Sequence, residues 1–237
     1  MRKTKSTPKN TILPETLSGN IVAAILPCSL RSSTALNMAP VRALLSSQQF
    51  STVVLISQNS EAPFERISVF AGDEYPAEGH RFQVSASIRE ELCDEEDNIF
   101  SDILGHPNAS IQNQLAFMSG MDTPFEVVPI VLGNDRNDLS DELGQALGEV
   151  MYGRRLLILA LADVTKLDKN SVGVFIGSLE TMQLTQLLHM LRSGDLALHG
   201  TSAMASAIIA AHRGGANRAK VFQSASGKLE AAILYQD

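Results

Sequence analysis

Four short apolar runs set the terms for any fold this chain can adopt: residues 20–27 (NIVAAILP), 50–56 (FSTVVLI), 125–132 (FEVVPIVL) and 155–162 (RLLILALA). Each has the length and aliphatic or β-branched make-up of a strand rather than a helix. None shows the strict apolar–polar alternation of a strand with one wet face. Continuous runs of this kind belong to strands buried on both sides.

The segments between them carry helical spacing. Residues 35–46 read as a helix, with Pro40 marking its start near 38–40. Residues 108–119 place Ile111, Leu115 and Met118 on one face. Residues 138–151 repeat Leu139, Leu143 and Leu147, residues 171–192 keep helical periodicity, and residues 201–212 form an Ala-rich helix. A further strand is expected at 66–70, a Gly/Pro-bearing loop at 71–79, a helical segment from 87 to 93, and a closing strand pair over 220–235. Pro129 suggests that its strand lies at an edge, or ends there. The fold class that follows is α/β: one domain whose central, mostly parallel or mixed sheet is covered by helices on both faces. A chain of 237 residues suits one domain, 19–237, preceded by a flexible basic arm at 1–18.

Only 5% of residues are aromatic and Trp is absent, so the core must be aliphatic. A net charge of −7 argues against a general nucleic-acid binder, which needs a basic surface. No apolar stretch approaches the ~18 residues of a membrane span. Cys28 and Cys93 lack both the number and the spacing of a disulfide scaffold or zinc site. They read as free thiols in a reducing compartment, with the cytoplasm as expected location. The P-loop, GxGxxG and GxSxG signatures are absent.

In sheets of this class ligands collect outside the carboxyl ends of strands. Three segments qualify: 28–33, 57–60 and 163–166. The five histidines, His80, His106, His189, His199 and His212, form no HxH, HxxxH or HExxH pair. His189 and His212 fall in helical segments as ordinary surface or core-edge residues, and His106, beside Pro107, reads as a loop residue.

Over roughly residues 20–235 the chain resembles the Memo family (AmmeMemoRadiSam system protein B-like), which is related to class III extradiol dioxygenases. The most specific stretch is ASIQNQLAF (109–117) followed by FEVVPIVLGN (125–134), similar to the family's HSLEVQLPF and FKIVPIVVG; Ser110, Gln114, Leu115 and Phe117 match. YPAEG (75–79) resembles the TPLG loop, LILALADVTK (157–166) the VVASSDFSH strand and loop, and SASG (224–227) the STSG turn. Against that pattern Cys28 stands where the first histidine belongs, Ser60 at the second, Ala109 at the one opening HSLEVQLPF, and Lys166 at the one closing SSDFSH. Asp163 is kept, and His199-Gly200 occupies the place of a Cys-Gly pair. The resemblance therefore implies the scaffold without its imidazole ligands.

It marks Cys28, Asn59, Ser60, Asp163, Lys166 and His199 as a candidate ligand-binding set, with no metal and no cofactor expected. The implied function is a divergent Memo-like protein, metal-free and non-catalytic, whose cleft takes a small ligand or a protein partner. One alternative is a metal-free enzyme with Cys28 as nucleophile, its thiolate favoured by Lys166 or His199, or with Lys166 as an anion clamp. Another is a weak metal-binding redox or dioxygenase-like enzyme built on Cys28, Asp163 and His199. The arm (Arg2, Lys3, Lys5, Lys9) would suit docking on an acidic partner in a larger assembly.

Overall fold

The computed structural model describes residues 17–29, 38–59, 62–94, 97–121, 124–163, 169–194, 199–224 and 229–237. Its ten strands are β1 (Asn20–Leu26), β2 (Thr52–Gln58), β3 (Ile67–Phe70), β4 (Glu74–Ala77), β5 (His80–Gln83), β6 (Ile99–Asp102), β7 (Glu126–Leu132), β8 (Leu156–Leu161), β9 (Arg218–Gln223) and β10 (Leu229–Gln236). The helices are α1 (Ala39–Ser46), α2 (Ala86–Asp94), α3 (Ala109–Met118), α4 (Asn137–Val150), α5 (Lys169–Glu180), α6 (Leu184–Arg192) and α7 (Thr201–Arg213).

Eight strands form one sheet in the order β6-β3-β7-β2-β8-β1-β10-β9, and β4-β5 form a separate hairpin. The four apolar runs found in the sequence are the parallel centre, β7-β2-β8-β1. Antiparallel neighbours flank it, β3 on β7 and β10 on β1. The sheet is therefore mixed around a parallel middle.

Side chains alternate between two cores. On one face Val54, Ile56, Ile158 and Ala160 pack with α2, α4 and α7. On the other Val53, Leu55, Leu157 and Leu159 pack with α1, α3 and the hairpin. Helix α7 lies deepest, with Ser202 to Ala211 all buried. Its approach to α4 is set by Gly144, where an added Cβ would lie 2.7 Å from Ile209 Cβ.

Three expectations need correction. Residues 71–79 are not simply a loop: β4 and the hairpin turn lie there, with Tyr75 fully buried. Strand β6 went unforeseen because IFSD is short and mostly exposed. Pro129 is not at an edge, since β7 lies between β3 and β2. The backbone explains this. Asn59 N–H donates to Leu132 O on the β2 side, and Ser85 N–H donates to Val127 O on the other. Odd-numbered residues of β7 thus face away from β2, and β3 pairs only with Ile130–Leu132. Pro129 falls in the gap between that pairing and the Val84–Val127 bridge, where no ladder donor is required. The helical stretch 171–192 is also broken in two, at a turn where Met182 has φ +48°. At the far end of the expected arm, Leu17 packs on the core and Ser18 Oγ reaches Asp237. The rest of the arm lies outside the described residues.

Among the described residues no helix is long and apolar enough to cross a membrane.

Candidate functional site

Parallel strands β1, β2 and β8 end on the same side of the sheet, so the segments that leave them meet. Ala162 N–H donates to Leu26 O (2.9 Å), holding the end of β8 against the end of β1. One residue on, Asp163 N–H donates to His199 O (2.9 Å), and Asp163 Oδ1 accepts the Cys28 N–H (3.3 Å). At the end of β2, Gln58 Oε1 accepts the Gly200 N–H (3.1 Å). The 199–200 pair is thereby tied to both neighbouring strand ends. Only glycine fits at 200: its φ is +87°, and a Cβ would sit 2.4 Å from Leu161 O.

Helix α3 closes the mouth from above. Asn108 caps it, its side chain accepting the N–H groups of Ser110 and Ile111. Ser110 and Gln114 are four residues apart and share a face. Gln114 Nε2 donates to Pro27 O (2.5 Å), and the Ser110 side chain hydrogen-bonds the Cys28 thiol.

The thiol is buried, and burial followed by the adjacent Asp163 carboxylate pushes its pKa up to about 12, with Ser110 offsetting only part of this. At neutral pH it stays protonated. A protonated, enclosed thiol beside a carboxylate is neither a ready metal ligand nor an activated nucleophile. Asp163 Oδ1 is engaged by the Cys28 amide, and the Asp163 amide holds the His199 carbonyl. Among the described residues no three His, Cys, Asp or Glu side chains are grouped to hold a metal ion.

Of the candidates read from the sequence, Cys28, Asp163 and His199 come together here. Asn59 lies next to Gln58, with its side-chain amide donating to Ala62 O (2.7 Å) across its own turn. Ser60 and Lys166 lie outside the described residues. Sequence reasoning passed over Gln58 and the second role of Gly200, for which no local motif exists. It quoted Ser110 and Gln114 as matched positions without assigning them a role, although their spacing on one helix face was a usable signal.

His106 lies in a loop, as the sequence suggested, but its surroundings were not foreseen. This imidazole is enclosed by Tyr75, Phe70 and Ser68 under the start of α3. Asn108 N–H donates to Tyr75 Oη (2.7 Å), Tyr75 Oη lies 3.4 Å from His106 Nδ1, and His106 Nε2 lies 3.3 Å from Ser68 O. A neutral ring protonated on Nε2 satisfies both sides, donating to the carbonyl and accepting the phenolic proton. Burial lowers the His106 pKa to about 4, with the Ser68 contact and Asp102 opposing this only in part. Three buried polar atoms have no hydrogen-bond partner among the described residues: Ser57 Oγ, Ser68 Oγ and Gln114 Oε1. Ser57 and Ser68 flank Val131 in one cross-strand row. His189 and His212 are exposed on helices α6 and α7.

Against known proteins, the family model described as Memo-like protein matches residues 23–234. No curated protein matches the chain. Among solved structures, the uncharacterized protein JW3007 from Escherichia coli K12 is similar at a TM-score of 0.57 and 13% identity, covering 91% of this chain and 99% of that one. At that identity the likeness shows a shared fold.

Proposed function

Because the chain belongs to the Memo-like protein family, we propose that it is a divergent member which keeps the strand-end mouth as a binding cleft, without a metal ion and without catalysis. The observation that carries this is the state of Cys28. The residue standing where the resemblance puts the first imidazole is a buried thiol, held protonated by burial and by Asp163. The groups around it are polar and neutral or already hydrogen-bonded, which suits recognition of a small polar ligand or a partner's side chain rather than bond making. Gln114 Oε1, on the helix that roofs the mouth and without a partner among the described residues, offers an acceptor whose desolvation a ligand donor would offset.

The same thiol counts against a Cys28 nucleophile. With a pKa near 12 rather than 9.0, the thiolate fraction at pH 8 is about a thousandfold below that of an ordinary cysteine.

Three measurements test the reading. Elemental analysis of untagged protein should find iron, copper and zinc well below one equivalent, and calorimetric titration with Zn²⁺ should show no tight site. Iodoacetamide should modify Cys28 in native protein far more slowly than a model thiol at the same pH. A stoichiometric metal, or a Cys28 that reacts as fast as the model thiol, would overturn it.

A further inference from the structure

The opposite end of the sheet holds a cavity of about 840 Å³, at the amino ends of β1, β2 and β8. That is within the range of small-molecule sites. Val22, Phe50, Met151 and Leu156 give its base apolar surface beside polar Ser47, Gln48 and Gln236, and its rim carries Arg154, Arg155 and Arg213.

The three guanidiniums are not equivalent. Arg154 is paired with Glu91 and also donates to Val150 O (2.9 Å), the last turn of α4. Arg213 lies over Gly148 and is paired with Glu149. Arg155 has no carboxylate among the described residues. Its one side-chain contact among the described residues is Gln49 Oε1 at 3.5 Å. Among the described residues, one forked cation without a carboxylate therefore stands at this rim in a chain of net charge −7. Beside it on the same turn, Tyr152 is 92% exposed, the most exposed large hydrophobic side chain described. Gly153, with φ +71°, lets the turn carry both side chains to the rim.

The geometry points to a binding site for a small organic acid, with its carboxylate on Arg155 and its apolar body against Met151, Val22 and Tyr152. A planar fork matches a carboxylate through two parallel N–H···O bonds. The apolar base gives the body a place that bare inorganic anions cannot use. The ends of α1, α4 and α7 also converge here, and their carbonyls would favour a cation. Arg154 answers part of that field by donating to Val150 O, and Arg155 is the guanidinium left without a carboxylate among the described residues. The site is remote from Cys28 and does not depend on the mouth having any function.

The test uses the full chain and the fluorescent aryl sulfonate 1-anilinonaphthalene-8-sulfonate, with octanoate, octanol and inorganic phosphate as competitors. One saturable equivalent of dye is expected, displaced by octanoate but not by octanol or phosphate at equal concentration. Arg155→Gln should weaken both dye and octanoate at least tenfold. Arg81→Gln, on the distant hairpin, should leave both unchanged. Absence of saturable binding, an unchanged affinity in Arg155→Gln, or displacement by octanol or phosphate as effective as by octanoate would overturn the proposal. Loss of the dye site in Arg81→Gln would do the same. Arg155 is exposed, so the variant is expected to fold, and an unchanged urea midpoint verifies it.

Discussion

At the carboxyl ends of β1, β2 and β8 the chain is drawn tight: Cys28, Asp163, His199 and Gly200 are tied to one another or to strand ends by backbone groups, and α3 seals the top. At the amino ends of the same strands the chain stands apart around an open cavity with a spare guanidinium. The two ends differ in what they leave over among the described residues: a buried acceptor, Gln114 Oε1, at the mouth, and an exposed cation at the opposite end.

Two glycines in left-handed conformations separate the ends most sharply. Gly200→Ala would force a Cβ to 2.4 Å from Leu161 O in addition to the backbone strain, so a loss of about 4 kcal/mol in urea unfolding is expected. A smaller effect than that of Gly153→Ala would break the comparison.

Next in size is a pH effect on the mouth side alone. Unfolded, His106 takes up its proton near pH 6.5; folded, only near 4. Between those values the unfolded chain holds more protons, so stability falls as pH drops from 6.5 toward 4, by up to about 3 kcal/mol. His106→Asn should flatten that slope in unfolding curves measured at several pH values. An unchanged slope would locate the acid sensitivity elsewhere.

Gly153→Ala has φ +71° but nothing within 4 Å of the new Cβ, so only the conformational cost of about 1 kcal/mol remains. Arg155→Gln should change stability least, by under about 0.5 kcal/mol, because this exposed side chain has no ion pair among the described residues. A large loss from either variant would mean that the amino end is as tightly built as the mouth.

Much of this architecture is legible in the sequence, and the reasons are specific. Strands β1, β2, β7 and β8 announce themselves because burial on two faces requires apolar residues at consecutive positions. Strands β4 to β6 do not, since EYPA, HRFQ and IFSD are short and largely solvated on one side. Pro129 misleads because a proline's tolerance depends on which neighbour its nitrogen faces, a property of register. At the mouth, Cys28, Asp163 and His199 could be placed together from their positions after strands and the family pattern. The enclosure of His106 could not, as nothing local tells which loop histidine will be roofed by a helix. Arg155 and Arg213 share a rim only through the packing of α7 on α4.

Helix α7 begins at Gly200, inside the mouth, and ends at Arg213 beside the cavity. Thirteen helical residues span about 20 Å. Wedged by Gly144 against Ile209 and enclosed along ten successive residues, this rod has little room to slide or shorten. Whatever settles at one pole of the molecule is thus held at a nearly constant distance from whatever settles at the other, as two fittings are on a rigid spacer.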